Sequence, residues 1–140
     1  MRRATDHDAP VVAALLGQLG YAASEAQARV RLRRLASEPG IAVFVAERDG
    51  RVIGLATAHV LTVINRDEGL AQLTALVVDA ENKRSGAGRA LVAAVVGYAR
   101  AAGCGRLSVT THLDRPEAHA FYASTGFELT GRRYGMSLQG

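Results

Sequence analysis

Apolar residues recur at helical spacing in two stretches near the start of the chain. The first follows "TDHD" (residues 5–8), which fits a capping box, and we expect its helix to end near Gly20. The second opens at "SEAQ" (residues 24–27), and we expect it to end before the Pro39-Gly40 break. The chain therefore begins with a pair of helices.

The apolar runs in the middle of the chain are typical of strands. The stretch "IAVFVAERDGRVIGLATAHVL" (residues 41–61) predicts two strands around Asp49-Gly50, a strong hairpin signal. The run "LAQLTALVV" (residues 70–78) predicts a third strand with little alternation, as expected if both of its faces are covered.

The second half of the chain alternates between the two patterns. A long helix is predicted over residues 85–102. It is followed by a strand "RLSVTT" (106–111), a short helix "PEAHAFYAST" (116–125) ended by Gly126, and two short strands, "FEL" (127–129) and "RYGMSL" (133–138). This order of elements favours a mixed sheet covered by helices.

Length and composition bound the class of protein. A chain of 140 residues, 49% of them hydrophobic and 21% charged, predicts one globular domain over residues 1–140. No run approaches the roughly 20 apolar residues of a membrane span, and "MRRATDHDAP" lacks the apolar segment of a signal peptide. We expect a cytoplasmic protein with no membrane partner.

A formal net charge of +4 raises the question of nucleic acid. Four arginines crowd residues 29–34, but apolar residues alternate with them as they do along an amphipathic helix. We interpret the arginines as a solvated helix face and expect no nucleic-acid partner. Binding that falls steeply with added salt would indicate the alternative.

The stretch "KRSGAGRALV" (residues 83–92) follows the third predicted strand and opens a helix, which creates an anion site. A dinucleotide-binding fingerprint requires glycine or alanine where Leu91 stands, and a P-loop requires Gly-Lys-Ser/Thr where Gly88-Arg89-Ala90 stands. Both nucleotide loops are excluded. A plain strand-to-helix turn stays open.

The stretch "LVVDAENKRSGAGRALV", followed about 30 residues later by "EAHAFYASTGFE", closely resembles the GNAT superfamily of N-acetyltransferases. The resemblance covers nearly the whole chain. It departs from the family pattern at Lys83, where Gln or Arg is usual, and at Arg84, where glycine is frequent. The backbone N–H groups, rather than these two side chains, would bind the anion, so the departures do not change the prediction of an anion site.

The resemblance implies a fold and a cofactor. The fold is α/β, with a mixed, mostly antiparallel central sheet and helices on both faces, and the cofactor is acetyl-CoA. In the family, the strand equivalent to Leu76, Val77 and Val78 pairs its backbone with the pantetheine arm. The pyrophosphate lies on the amides of Arg84 through Gly88. The cofactor-binding residues that the resemblance implies in this turn and helix start are Lys83, Arg84, Ser85, Gly86, Ala87, Gly88 and Arg89.

Tyr122 occupies the position of the family's general acid. The resemblance implies that its hydroxyl donates a proton to the departing CoA thiolate. Reference pKa values near 8.5 for a thiol and near 10 for a phenol make this transfer reasonable. The alternative is a half-buried core tyrosine.

Many family members carry a glutamate base in the central strand, at the position that Thr74 occupies here. Neither Thr74 nor Gln72 is a base, and we name Glu68 and His59 as substitutes or substrate contacts. We expect the amine to lose its proton to water instead. No pair of histidines has zinc-ligand spacing together with a third ligand, so we expect no metal.

The pattern of Arg115, "EAHAFYASTGFE" and a basic final strand resembles the aminoalkylphosphonate and aminoglycoside type of acetyltransferase. We expect the substrate to be the primary amine of a small molecule, with an amine that carries an acidic group preferred because the protein is basic. Protein N-termini or lysines, and a non-catalytic acyl-CoA sensor, stay open as alternatives. We also expect a homodimer formed through the terminal "RRYGMSL" strand.

Overall fold

A computed structural model describes residues 1–110 and 116–139. The chain forms two compact units, one of residues 1–109 and one that begins at residue 110. The single domain over residues 1–140 stays a prediction.

The first unit contains a five-stranded sheet and three helices. Its elements in chain order are β1 (Arg2–Arg3), α1 (Ala9–Leu19), α2 (Glu25–Ser37), β2 (Ile41–Arg48), β3 (Arg51–Leu61), β4 (Gly69–Val78), α3 (Ala87–Ala101) and β5 (Cys104–Val109). Short 3-10 turns at Asp6–Asp8 and Ala80–Asn82 precede α1 and α3.

The strands lie in the order β1-β2-β3-β4-β5. The three pairs formed among β1, β2, β3 and β4 are antiparallel, and the pair of β4 with β5 is parallel. A parallel neighbour requires a crossover connection, and α3 supplies it. This arrangement confirms the predicted mixed, mostly antiparallel sheet.

Helices cover both faces of the sheet. On one face, α1 and α2 share a buried core with Val43, Val45, Leu55 and Val77. On the other face, Leu91 of α3 is fully buried against the backbone of β3. A Cβ added to Gly54 would lie 2.9 Å from the Leu91 Cδ1 atom, so only glycine allows this approach.

The predicted helix and turn signals are confirmed. The Ser24 hydroxyl accepts a hydrogen bond from the Gln27 N–H at 3.1 Å, and the Gln27 side chain accepts one from the Ser24 N–H at 2.9 Å. Asp49 and Gly50 both adopt positive φ, at 53° and 76°, as a two-residue hairpin turn requires. These contacts are local, which is why short patterns predict them.

The prediction that both faces of β4 are covered is wrong. Ala71 and Leu73 are buried, whereas Gln72 and Thr74, which alternate with them, are exposed. The run "LAQLTALVV" contains only two polar residues, so its sequence does not reveal this alternation of buried and exposed positions. The β5 strand begins at Cys104, two residues earlier than predicted, and Thr111 lies outside the described residues.

The second unit contains α4 (Pro116–Ser124). The helix ends as predicted at Gly126, whose φ of 101° lets the Phe127 N–H reach back to the Tyr122 carbonyl at 3.0 Å. The strands predicted at 127–129 and 133–138 are wrong, because the described residues after Gly126 form neither strand nor helix. A strand needs a paired neighbour, and the described part of this unit has none.

A carboxylate–guanidinium pair links β1 to the start of α1. Arg2 donates two hydrogen bonds of 2.8 Å to the buried carboxylate of Asp8 and also contacts Glu47. The Thr5 N–H donates to the same Asp8 carboxylate at 2.8 Å. The hydrogen bonds from Arg2, aided by that from Thr5, hold the pKa of Asp8 below its ordinary value. The pair fixes where the first helix begins.

Candidate functional site

The connection between β4 and α3 is anchored where it leaves β4. The Asp79 N–H donates to the Ile53 carbonyl at 2.8 Å, which extends the pairing of β4 with β3 by one residue. The 3-10 turn Ala80–Asn82 follows, closed by a 2.8 Å bond from the Asn82 N–H to the Asp79 carbonyl. The helix then starts at Ala87. The intervening residues form an exposed turn, residues 83–86.

The turn is built on two left-handed residues. Arg84 has a φ of 66° and Gly86 a φ of 87°. A Cβ added to Gly86 would meet no protein atom within 4 Å, so packing does not demand glycine there. The backbone conformation does demand glycine, because residues with a side chain rarely adopt a φ of 87°. The space beside Gly86 is open to a ligand.

Several backbone N–H groups of the turn remain available. Among residues 1–110 and 116–139, the N–H groups of Lys83, Arg84, Gly86 and Gly88 have no hydrogen-bond acceptor. Ser85 and Ala87 differ, because the Ser85 N–H donates to Asn82 and the Ala87 N–H donates to the Ser85 hydroxyl, each at 3.3 Å. Four N–H groups of the turn and the helix start are therefore available to a ligand, and those of Ser85 and Ala87 are not.

The charges around these amides favour an anion. The N-terminus of α3 contributes the positive end of its helix dipole. Lys83, Arg84 and Arg89 are all exposed and add positive charge around the turn. The residues present therefore suit a phosphate or pyrophosphate group.

A side-chain clamp holds the start of this connection to α1. Gln18 donates from Nε2 to the Asp79 carboxylate at 2.9 Å, and its Oε1 accepts from the Ala80 N–H at 2.9 Å. The Asn82 side chain donates to the other Asp79 oxygen at 2.9 Å. The hydrogen bonds from Gln18 and Asn82 hold the pKa of Asp79 below its ordinary value, so this carboxylate is charged at neutral pH.

The strand that precedes the turn is irregular at its centre. Thr57 pairs with Ala75 and the next residue, Ala58, pairs with Leu73, so Thr74 is the extra residue of a β-bulge. Among the described residues, pairing with β5 reaches only as far as Leu73. The predicted pantetheine-binding residues Leu76, Val77 and Val78 all lie beyond that point.

The side chains of the three residues differ in burial. Val77 is buried in the core beneath α1 and α2, and Leu76 and Val78 are half-buried. Their backbone remains paired with β3 on one side. Any contact to a ligand from this strand segment would therefore use the opposite edge of β4.

Two of the proposed substrate-side residues, His59 and Thr74, lie in the central part of the pairing between β3 and β4. His59 is paired directly with Gln72, and the Thr74 hydroxyl donates to the Thr57 carbonyl at 3.3 Å. Residues opposite each other in an antiparallel pair point to the same face, so His59 and Gln72 are neighbours there. Sequence reasoning named His59 and Thr74 but missed Thr57, which is buried.

Glu68 lies at the other end of β4. It immediately precedes the strand, and its side chain packs where a Cβ of Gly105 would stand, with the Arg66 guanidinium at 3.7 Å. Thr74 stands six positions further along the chain, about 20 Å away at the rise per residue of a strand. The structure pairs His59 with Gln72, two residues before Thr74, and places Glu68 at the far end of the strand.

Tyr122 is held in an aromatic cluster of the second unit. Its ring makes edge-on contacts with Phe121 and Phe127, each with ring centroids 5.5 Å apart. The left-handed turn at Gly126 brings Phe127 back against it. The tyrosine is half-buried, so its ring is fixed in orientation by packing.

Sequence reasoning missed the Gln18–Asp79 clamp and the bulge at Thr74. A glutamine near a helix end belongs to no motif, and a bulge depends on how two strands align. Neither leaves a signal in a single sequence. Arg115, part of the pattern that suggested a substrate class, lies outside the described residues.

Among residues 1–110 and 116–139, no group of three or more His, Cys, Asp or Glu side chains is placed to hold a metal ion. None of the helices found there is long and apolar enough to cross a membrane.

Comparison with solved structures shows the same fold. An aminoglycoside N-acetyltransferase, AAC(6')-Iy, solved in complex with CoA, superposes with a TM-score of 0.86 at 21% identity, covering 99% of this chain and 93% of that one. At this level of identity the likeness concerns the fold alone.

Curated relatives carry related names. N-acetyltransferase 8 of Homo sapiens is 35% identical to this chain over 98 residues. The match covers 70% of this chain but only 43% of that protein's length. Aminoalkylphosphonate N-acetyltransferase of Salmonella typhimurium (strain LT2) is 27% identical over 99% of this chain and 90% of its own length. The model of the acetyltransferase (GNAT) family matches residues 11–127, most of the sequence, and the chain therefore belongs to that family.

Proposed function

We propose that this chain transfers the acetyl group of acetyl-CoA to a primary amine of a small molecule. The observation that carries the proposal is the turn of residues 83–86, whose available N–H groups and positive charge suit a pyrophosphate. Family membership supports the cofactor. Once bound, acetyl-CoA supplies an activated acetyl thioester.

The names of two similar proteins support a small-molecule acceptor. One is described as acting on an aminoalkylphosphonate and another as an aminoglycoside acetyltransferase. An aminoglycoside is polycationic, whereas this chain carries a formal net charge of +4. Long-range repulsion between like charges disfavours such a substrate. We therefore propose an acceptor that carries an acidic group beside its amine.

The first experiment measures release of free thiol from acetyl-CoA across an amine library. We expect 2-aminoethylphosphonate to give a kcat/KM about tenfold or more above those of ethylamine and a polycationic aminoglycoside, because its anionic end is attracted to the basic protein. A preference for the aminoglycoside would contradict the acidic acceptor. Binding of CoA with no thiol release from any amine would favour the acyl-CoA sensor.

We propose that Tyr122 donates a proton to the sulfur as the thiolate leaves. Its packing between two phenylalanine rings supports this role, because a fixed ring keeps its hydroxyl at one position. General acids are most effective when they are held in place at the atom that gains charge.

Replacing Tyr122 by phenylalanine removes only the hydroxyl. We expect the single-turnover rate constant to fall about a hundredfold while CoA affinity changes little, because the lost proton matters mainly as the thiolate leaves. Tyr134→Phe is the matched control, since Tyr134 is fully exposed in the same unit. An unchanged single-turnover rate would remove Tyr122 from the mechanism.

We propose that no side chain of the protein acts as the general base. Thr74 stands where a carboxylate is usual in the family, and Glu68 lies far along β4 from it. The amine then loses its proton to water, and the protein selects the neutral form. His59 is the alternative base that lies closest to the bulge.

The pH dependence of the reaction tests this proposal. At subsaturating amine, activity should rise nearly tenfold per pH unit from about 7 to 9, because an alkylamine with a pKa near 10 is mostly protonated there. Thr74→Glu should raise activity at pH 7, with Thr74→Gln as the uncharged control of the same size. A profile that flattens above about 7, and loses that break in His59→Ala, would identify His59 as the base.

We also propose that the chain forms a homodimer through its final segment. Leu129, Tyr134, Met136 and Leu138 are 86 to 92% exposed, which leaves a large apolar surface uncovered in one chain. The last three alternate in sequence, as they would along one face of an edge strand.

Light scattering at micromolar concentration should give the mass of two chains. Met136→Lys should give the mass of one, because it places a charge in the proposed interface. Ile64→Lys is the control, since Ile64 is also fully exposed but lies in the loop between β3 and β4. A parent protein with the mass of a single chain would reject the dimer.

A further inference from the structure

The side-chain amide of Gln18 uses both of its polar atoms on one connection. Nε2 donates to the Asp79 carboxylate and Oε1 accepts from the Ala80 N–H, both at 2.9 Å. The two partners are adjacent in sequence but more than 60 residues away from Gln18. A glutamine suits this place because it offers a donor and an acceptor on one planar group.

A continuous series of hydrogen bonds leads from this clamp to the anion turn. Asp79 accepts from the Asn82 side chain at 2.9 Å, and its carbonyl accepts from the Asn82 N–H at 2.8 Å. The Asn82 carbonyl in turn accepts from the Ser85 N–H at 3.3 Å. Ser85 lies between the two left-handed residues Arg84 and Gly86. Gln18 thus sits at the first link of a series that ends inside the turn.

The turn has little else to hold it in place. Its residues from Lys83 to Gly86 are exposed, and nothing packs within 4 Å of where a Gly86 Cβ would be. The left-handed conformation of Arg84 is unfavourable relative to a right-handed one, because its Cβ lies too close to the backbone. Such a conformation persists when surrounding contacts determine it. The hydrogen bonds that begin at Gln18 are contacts of this kind.

We propose that Gln18 is a positioning residue for the cofactor turn, fixing the N–H groups of Arg84, Gly86 and Gly88 at the spacing that a pyrophosphate requires. It acts through Asp79 and Asn82 and does not itself touch the ligand. This inference rests on the proposed function. It adds that one side chain of α1 sets the affinity of the turn for acetyl-CoA.

Gln18→Glu is the sharpest single test. The new carboxylate still accepts from the Ala80 N–H, but it faces the Asp79 carboxylate and has no proton to donate. We expect the KM for acetyl-CoA to rise about tenfold, the size expected for a lost hydrogen bond to a charged group. The kcat should change less than about twofold, because the reacting atoms are untouched.

An exchange of the two groups provides the rescue. In the double variant Gln18→Glu with Asp79→Asn, the amide nitrogen at position 79 donates to the carboxylate at position 18. The amide oxygen at position 79 still accepts from the Asn82 side chain. The donor–acceptor pattern is restored with its direction reversed. We expect the KM for acetyl-CoA to return to within about threefold of the parent value, a recovery measured as a double-mutant coupling.

Gln27→Ala is the matched control. Gln27 also accepts a 2.9 Å side-chain hydrogen bond, from the Ser24 N–H at the start of α2, but it has no bond to the turn. It should lower the melting temperature and leave the KM for acetyl-CoA unchanged. If Gln18→Glu does the same, Gln18 is merely structural and the inference is wrong.

The parent protein separates this inference from the proposed function. Acetyl-CoA should raise its melting temperature, since a ligand that binds the native state stabilises it. Gly86→Val should abolish that rise because it fills the open space beside the turn. A parent that does not respond to acetyl-CoA contradicts the proposed function. A parent that responds, with Gln18→Glu responding equally, contradicts only the role of Gln18.

Discussion

The contact between Leu91 and the backbone of Gly54 determines how closely α3 lies on the sheet. A Cβ at position 54 would stand 2.9 Å from the Leu91 side chain and 3.2 Å from the Val77 carbonyl, so a larger residue would push the helix or the strand away. Gly54 is paired with Val78, the last residue of β4. This close approach therefore sets how near α3 lies to the end of β4, the two elements that the turn joins.

The central part of the β3–β4 pairing carries polar side chains. His59 and Gln72 are paired across two strands, and the bulge places the Thr74 hydroxyl on the Thr57 carbonyl. This bond ties the extra residue of the bulge to the neighbouring strand. The arrangement gives the proposed amine site hydrogen-bonding groups without a fixed carboxylate, which is consistent with an acceptor that brings its own negative charge.

Much of the fold follows from local patterns. The capping residues Ser24 and Gln27, the turn at Asp49-Gly50 and the end of α4 at Gly126 were all predicted, because each depends on residues a few positions apart. The turn of residues 83–86 was predicted through its glycines and the strand before it. The bulge at Thr74 and the clamp from Gln18 were not, because both arise from segments distant in sequence. The final strands were predicted wrongly because an apolar alternating run does not reveal whether a partner strand exists.

The parallel pairing of β5 with β4 has a consequence for the order in which the sheet forms. Strands β2 and β3 meet through a two-residue turn and β4 follows after a short loop, whereas β5 must wait for the whole of α3 to cross the sheet. Closing a longer segment costs more chain entropy before any contact compensates for it. By this argument residues 41–78 pair first, and both β5 and β1, which two helices separate from β2 in sequence, add to the sheet later. A nascent chain that stops before β5 would already have formed the surface against which α3 folds.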